Sequence, residues 1–331
     1  MTRQQLGLLL RIAVSVIGIG LVVWTVNIED AVSSLLSVNP AGFILAVVIF
    51  QLGIVIRAAR WWVLLRPHAA HLPFWKLVRL YYVGMFFNLF LPTGFGGDVV
   101  RAAELGTEVD GATSAATVLL DRMLGLMALF AIALVAAPFV AGMVPGQLLL
   151  VTSAVSLVGL VGGLMVLHGQ TFAFVLRLTG RVLGRLPLMA KVLGALTKFN
   201  DAISLVGRDT GAVGQAFGIS LLFNGTLILI HVVLSEALAL DVPWVAYIVV
   251  VPLTSILLLV PSIAGIGLRE SGMVGLLAGF TDDLEKGAAL GFAVLLQNII
   301  SGVIGWVWYI VYSLQKRTAA NATPAPQQEV Q

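Results

Sequence analysis

Cysteine is absent from all 331 residues, which excludes disulfides, thiolate metal sites and cysteine nucleophiles and leaves the redox compartment unread. Charge is scarce too: Asp, Glu, Lys and Arg make up 11% of the chain, less than half of the about 25% usual in soluble domains. There is no phosphate loop, no dinucleotide-binding glycine fingerprint and no nucleophile elbow. Asp110-Gly111 is not continued by the Ala-Arg that would suggest an alcohol phosphotransferase. What fills the chain instead is apolar: 59% is drawn from AVILMFWYC, and the mean hydropathy is +1.03. Such a surface faces lipid, which excludes a soluble enzyme or a nucleic-acid-binding protein.

About 20 apolar residues cross a bilayer core. Runs of that kind lie near 6–26, 41–65, 112–139, 147–168, 211–238 and 287–313, predicting six full spans. No small-x-small cleavage site follows the first, so it reads as a span and not a signal peptide. Two further apolar stretches, 77–108 and 243–281, are interrupted by LPTGFGGD (91–98) and VPSIAGIGLRE (260–270). Each half is too short to cross alone.

The placement of cations sets the topology. Arg3, Arg57, Arg60, Arg66, Lys76, Arg79, Arg177, Arg181, Arg185, Lys191, Lys198, Arg208, Lys316 and Arg317 fall on one set of loops and span ends. The opposite set holds Lys286 with Glu29, Asp30, Glu236, Asp241, Asp282, Asp283 and Glu285. Both termini are therefore expected in the cytoplasm, with each broken stretch re-entrant, or with both crossing. Pro92-Thr93-x-x-Gly96 recurs as Pro261-Ser262-x-x-Gly265, 169 residues later, and the flanking spans shift with it. The predicted fold class is all-α: a polytopic membrane helix bundle of six full spans and two broken or re-entrant segments, arranged as inverted-topology repeats over about 41–139 and 211–313. One transmembrane domain would cover 1–317, with an amphipathic cytoplasmic connection over about 169–210 and a disordered cytoplasmic tail over 318–331.

A Gly-rich break at membrane depth survives only inside protein or beside a wet cavity, because unpaired backbone groups are costly in hydrocarbon. After each break a new helix should begin, near Asp98 and near Gly267 or Leu268, presenting free N–H groups and a positive dipole end to an anion. Charges gather at the same places. Asp98, Arg101 and Glu104 follow the first break, Arg269 and Glu270 follow the second, and Asp121 with Arg122 lies inside an apolar helix. Each would cost about 2.5–3.5 kcal/mol at mid-helix if left alone. The candidate substrate-binding set is Thr93, Gly96, Gly97, Asp98, Arg101, Asp121 and Arg122 from the first half and Ser262, Gly265, Gly267, Arg269 and Glu270 from the second. The repeat offset sets Arg101 opposite Glu270 as a complementary pair. Buried salt bridges that merely hold the bundle in register are the competing reading.

Arg57 and Arg60, followed by Trp61 and Trp62, fit ordinary interfacial snorkelling and an aromatic belt, or a headgroup entrance. Arg177, Arg181 and Arg185 recur every four residues and suit a helix lying on the anionic inner leaflet. His68 and His71 are bracketed by Pro67 and Pro73 with no acidic neighbour, so no metal and no cofactor is expected. His231 reads as a core histidine before a proton relay. Gly159/Gly163, Gly214/Gly218 and Gly275/Gly279 have the GxxxG spacing of close helix packing. Asn321-Ala322-Thr323 matches a glycosylation sequon but falls in the expected cytoplasmic tail.

RAARWWVLL (57–65), NLFLPTGFGGDVVRAAEL (88–105), ATVLLDRMLGL (116–126) and PSIAGIGLRESG (261–272) together resemble the membrane region of lysyl-phosphatidylglycerol synthases, a flippase-like integral membrane family. The similarity runs over about 10–315. In the bifunctional members this region accompanies a cytoplasmic aminoacyl-transfer domain; the membrane region is implied to move the lipid. For this chain the resemblance implies translocation without synthesis, of a membrane phospholipid or polyprenyl-phosphate lipid, in a bacterial or archaeal cytoplasmic membrane. A second copy of the chain or a separate lipid-synthesising protein would be its partner; nucleic acid is not. Two other classes stay open: an intramembrane lipid-modifying transferase with Asp98, Asp121 or Glu270 as general base, and a membrane scaffold, which predicts that the polar charges pair off completely.

Overall fold

A computed structural model describes residues 20, 24, 26–90, 96–183, 187–257 and 267–322. Among these residues the chain forms twelve helices and no strand. They are α1 (Ile28–Leu36), α2 (Pro40–Leu65), α3 (Phe74–Phe90), α4 (Gly96–Leu105), α5 (Gly111–Val140), α6 (Gly146–Leu167), α7 (Gln170–Leu183), α8 (Pro187–Val206), α9 (Thr210–Ala237), α10 (Ala246–Leu257), α11 (Leu268–Leu277) and α12 (Leu284–Ala322). Five are long and apolar enough to cross a membrane: α2, α5, α6, α9 and α12 over Leu284–Leu314. The chain is an integral membrane protein. The remaining expected span, 6–26, lies outside the described residues except at Gly20, Trp24 and Val26. The expected tail begins at 318, but α12 continues to Ala322, and 323–331 again lie outside.

The long helices are bounded by local chemistry. Asn39 caps α2, accepting from the N–H groups of Ala41 at 3.0 Å and Gly42 at 3.3 Å, and Pro40 takes the first helical position, where its missing N–H costs nothing. Asp110 caps α5 by accepting from Thr113 N at 3.0 Å, and Asp209 caps α9 by accepting from Ala212 N at 2.9 Å. The apolar length between such caps is what spans the bilayer. Lipid is met by side chains such as Ile44, Leu52, Val158, Leu222 and Val303, all exposed.

In each interrupted stretch two helices are described. The first runs α3, then 91–95, then α4; the second runs α10, then 258–266, then α11. Residues 91–95 and 258–266 lie outside the described residues, and with them the expected site positions Thr93, Ser262 and Gly265. At 1.5 Å per residue, α4, α10 and α11 reach only about 15–18 Å, roughly half of a 30 Å hydrocarbon core. α4 begins at Gly96, two residues before the expected Asp98; α11 begins at Leu268, as expected, behind Gly267 at φ +83°, a left-handed conformation suited to glycine.

The order long helix, broken pair, long helix thus occurs twice, as α2–α3/α4–α5 and α9–α10/α11–α12. α2 packs along α9, α3 packs on α12, and α10 packs on α5. The apolar cores follow that arrangement. Leu129, Leu234, Tyr247, Met273 and Leu290 join α5, α9, α10, α11 and α12, while Ile54, Trp61, Leu77, Tyr81 and Val118 join α2, α3 and α5. A third core ties Ile203 and Val206 of α8 to Leu64, Leu120 and Ala216, so this part of the expected leaflet-bound connection is seated on the bundle. α3 and α4 touch backbone to backbone at Gly84 and Gly97, where a Cβ on Gly97 would run into the Gly84 carbonyl oxygen.

Candidate functional site

Gly97 N donates to Asn88 Oδ1 at 2.7 Å, tying the start of α4 to the end of α3 across the break. That anchor fixes the turn of α4 on which Asp98 and Arg101 stand, one helical turn apart. Arg101 Nη1 donates to Asp98 Oδ1 at 3.1 Å, and its Nη2 donates to Asp121 Oδ2 at 3.2 Å. Arg60 from α2 reaches the same carboxylate, Nε to Asp121 Oδ1 at 2.6 Å, and its Nη1 donates to Ser220 Oγ of α9 at 3.2 Å. Tyr81 OH of α3 also donates to Asp121 Oδ2, and Arg122 Nη1 donates to Asp98 Oδ2. One carboxylate on α5 therefore gathers donors from α2, α3 and α4.

Burial makes this network consequential. Arg60 is 2% exposed, Arg101 3% and Asp121 1%, so each charge has exchanged water for its partners. The Arg101 guanidinium also packs against two aromatic rings, 3.8 Å from the Tyr81 ring centre and 4.3 Å from that of Trp61. Gly125 makes the room that Arg60 needs: a Cβ there would stand 2.6 Å from Arg60 Nη1. The bare carbonyl of Gly125 accepts in turn from Asn224 Nδ2 of α9 at 2.9 Å.

The second broken stretch contributes differently. Glu270, 2% exposed, turns back and accepts from Gly267 N at 2.7 Å, closing the first turn of α11. Gly291 of α12 leaves space for it. The expected Arg101–Glu270 pair is not formed: Arg101 goes to Asp98 and Asp121, which share its own half, and Glu270 satisfies a backbone donor. Arg269 is 8% exposed, and among the described residues its Nη1 has no hydrogen-bond partner, as is also true of Arg57 Nε and Glu270 Oε1.

A cavity of about 330 Å³ opens at the centre of these groups. Its wall includes Arg57, Arg60, Asp98, Arg101, Asp121 and Arg122 from the first half. From the second half come Asn224, His231, Thr254, Ser255, Arg269 and Asn298. Among the described wall residues five guanidiniums face two carboxylates, and the buried Glu270 carboxylate adjoins Arg269. Of the fourteen residues expected to bind substrate or form the entrance, Arg57, Arg60, Asp98, Arg101, Asp121, Arg122 and Arg269 meet here. Gly96, Gly97, Gly267 and Glu270 stand at the helix starts beside it, and Thr93, Ser262 and Gly265 lie outside the described residues.

Arg60 corrects the interfacial reading, since its guanidinium sits inside the bundle and does not snorkel towards water. Tyr81, Asn88, Asn224, Ser220 and Asn298 were not anticipated. For the two asparagines in long apolar spans, a signal existed: a polar amide at membrane depth needs a partner or a cavity. His231 lines the cavity while its Nδ1 lies 2.8 Å from Leu227 O, so it is both a satisfied core residue and a wall residue. No cluster of three or more His, Asp or Glu with metal-binding geometry occurs among the described residues.

A helical membrane protein with two interrupted segments and an arginine-rich internal cavity is thus defined. The chain belongs to the family described as the lysylphosphatidylglycerol synthase TM region, whose model matches residues 8–307. Membership connects it to membrane phospholipid metabolism or transport. No curated protein matches the chain.

Proposed function

We propose that the protein translocates an anionic, phosphate-bearing lipid across the bilayer, with the headgroup passing through the central cavity while the acyl chains stay in lipid. The observation that carries this reading is one cavity whose wall holds Arg57, Arg60, Arg101 and Arg122 of one half and Arg269 of the other, with Asp98 and Asp121 as the carboxylates among its described wall residues. Cavities of about 300–1,000 Å³ suit small-molecule ligands, and a phosphate placed here replaces its hydration by guanidinium donors. A pure scaffold predicts complete pairing, whereas Arg57 Nε and Arg269 Nη1 are buried donors without a hydrogen-bond partner among the described residues.

The twofold recurrence of long helix, broken pair and long helix, with α2 on α9, α3 on α12 and α10 on α5, supports inverted repeats. In this arrangement the first broken stretch enters from the cytoplasm and the second from outside, so that each leaflet has one re-entrant route to the cavity. The termini are cytoplasmic, and the protein acts without changing the lipid covalently.

The test is transbilayer movement of a labelled anionic lipid in proteoliposomes. Arg101→Ala, Arg269→Ala and Asp98→Ala should abolish movement while the proteins remain folded, and lipid recovered after wild-type turnover should have unchanged mass. Wild-type rates from all three folded variants overturn the assignment, and a changed mass replaces it with a transferase.

A further inference from the structure

A second pocket, of about 460 Å³, lies where α9 turns into α10. It shares no wall residue with the central cavity. The turn itself gathers its charges. α9 closes with Ala239 at φ +49°, as Ala239 N donates to Glu236 O at 3.0 Å and Leu240 N donates to Ser235 O at 3.0 Å, a helix stop that folds the chain back over its own last turn. Glu236 of that turn and Asp241 beyond it come to line one pocket, together with Ser235, Trp244 and Tyr247. Among the described residues neither carboxylate forms a salt bridge. Lys286, whose Nζ reaches the Ala239 carbonyl at 3.1 Å, pairs with Asp283 at 3.0 Å instead. α9 has no basic residue in its last turn, so the negative end of its dipole adds to the two carboxylates. The wall also contains a buried polar group with nothing to bind. Tyr247 is 0% exposed, and its hydroxyl has no hydrogen-bond partner among the described residues, while the Ser235 hydroxyl donates to Leu240 O at 3.3 Å. A buried hydroxyl left in that state is costly.

Independently of the translocation reading, we propose that this pocket binds an organic ammonium ion, with Glu236 and Asp241 supplying the opposing charge, Trp244 an aromatic face and the Tyr247 oxygen a further acceptor. An ammonium carries up to three N–H donors and no acceptor, which matches a wall of two carboxylates and a free hydroxyl oxygen. Trp is the best of the aromatic faces for a cation, and Trp244 is 61% exposed in this wall. A metal ion is a poorer match. No group of three or more His, Asp or Glu able to hold one occurs among the described residues, and a hard cation such as calcium takes six to eight oxygen ligands. An anion is repelled here, and a neutral polyol leaves both carboxylates and the helix dipole uncompensated. The volume lies within the range of small-molecule sites, enough for an ammonium on a chain of several carbons. A free amine from the aqueous phase and an amine-bearing lipid headgroup present the same donors, so the shared chemistry is the ammonium group.

The experiment is calorimetric titration of the full chain with 1,4-diaminobutane, in neutral detergent at low ionic strength. The diamine should bind saturably, and Glu236→Gln and Asp241→Asn should each weaken it by about fivefold, the scale of one partly exposed charge pair. The double variant should lose binding altogether. Both carboxylates are exposed, so these variants are expected to fold. Tyr247→Phe should weaken the diamine by about threefold without lowering the melting temperature of the amine-free protein, because the hydroxyl it removes has no partner to lose. No saturable binding to the wild type, or unchanged affinity in the folded double variant, overturns the proposal. Magnesium ions or methyl glucoside binding more tightly than the diamine, with the same dependence on Glu236 and Asp241, replaces the ammonium with a metal or a sugar and overturns it as well. The source is read by competition: phosphatidylethanolamine that displaces the diamine, where phosphatidylglycerol does not, supports a lipid amine, and a diamine that neither lipid displaces supports a free one.

Discussion

Asp121→Asn tests the network directly, because the substitution keeps the side chain's shape and removes its charge. Asp121 holds Arg60 Nε at 2.6 Å and Arg101 Nη2 at 3.2 Å, and it accepts from Tyr81 as well. Removing one member of a buried pair costs about 3–5 kcal/mol, because the other charge is left behind. Two guanidiniums lose their carboxylate here, although Arg101 retains Asp98, so the upper part of that range is expected. Against a typical native stability of about 5–15 kcal/mol the variant should be severely compromised. The assay is thermal unfolding in neutral detergent, followed through tryptophan emission. Adding Arg60→Gln to Asp121→Asn removes the most directly orphaned charge and should restore much of the loss, which a purely steric defect would not permit. The reasoning is refuted if Asp121→Asn melts with the wild type, or if the double variant melts below the single one.

Gly97→Ala should destabilise the bundle and abolish lipid movement together, since its Cβ meets the Gly84 carbonyl and parts α4 from α3; thermal unfolding and the flipping assay on one preparation check both. Gly125→Ala should be milder in unfolding but should displace the Arg60 guanidinium, 2.6 Å from the new methyl, and lower the rate of lipid movement. With no native cysteine, single substitutions report topology cleanly. Impermeant maleimide should label Met143→Cys and Asp282→Cys from outside and Thr107→Cys from the cytoplasm only; external labelling at Thr107 would mean that the first broken stretch crosses.

The long spans were legible because the bilayer imposes them: apolar length is a local signal, and the Gly-rich sequences at 91–98 and 260–270 marked where the two remaining apolar stretches divide. The cluster of Asp98, Arg101, Asp121, Arg122 and Arg269 was legible for a related reason, since charge at membrane depth has few alternatives to a shared polar interior. Which charges pair was not legible. Repeat symmetry suggested Arg101 with Glu270, but pairing is decided by which side chains the helix crossings bring within 3 Å, and Gly125 admits Arg60 to Asp121 from α2. Arg60 looked interfacial because Trp61 and Trp62 follow it in sequence, a neighbourhood that says nothing of helix rotation. Tyr81 carried no sequence signal at all; a tyrosine among Leu, Val and Met is recognisable as a ligand only once its hydroxyl is seen on Asp121.

The two halves differ in a way that makes stability report on binding. In the first half, carboxylates compensate Arg60, Arg101 and Arg122, so the lipid-free protein already has their favourable energy. Arg57 Nε and Arg269 Nη1 have no hydrogen-bond partner among the described residues, and those buried donors count against the lipid-free protein. A bound anion removes that penalty, and a ligand that binds only the folded state adds about 2.7 kcal/mol at one hundred times its dissociation constant. The wild-type melting temperature in neutral detergent should therefore rise on addition of phosphatidylglycerol. Arg269→Gln should melt at or above the wild type without lipid, and gain little when lipid is added. That sign is opposite to the one expected for Asp121→Asn, although both substitutions remove a single buried charge. If Arg269→Gln instead loses as much stability in neutral detergent as Asp121→Asn, Arg269 is a structural ion-pair member and the anion site is not built around it.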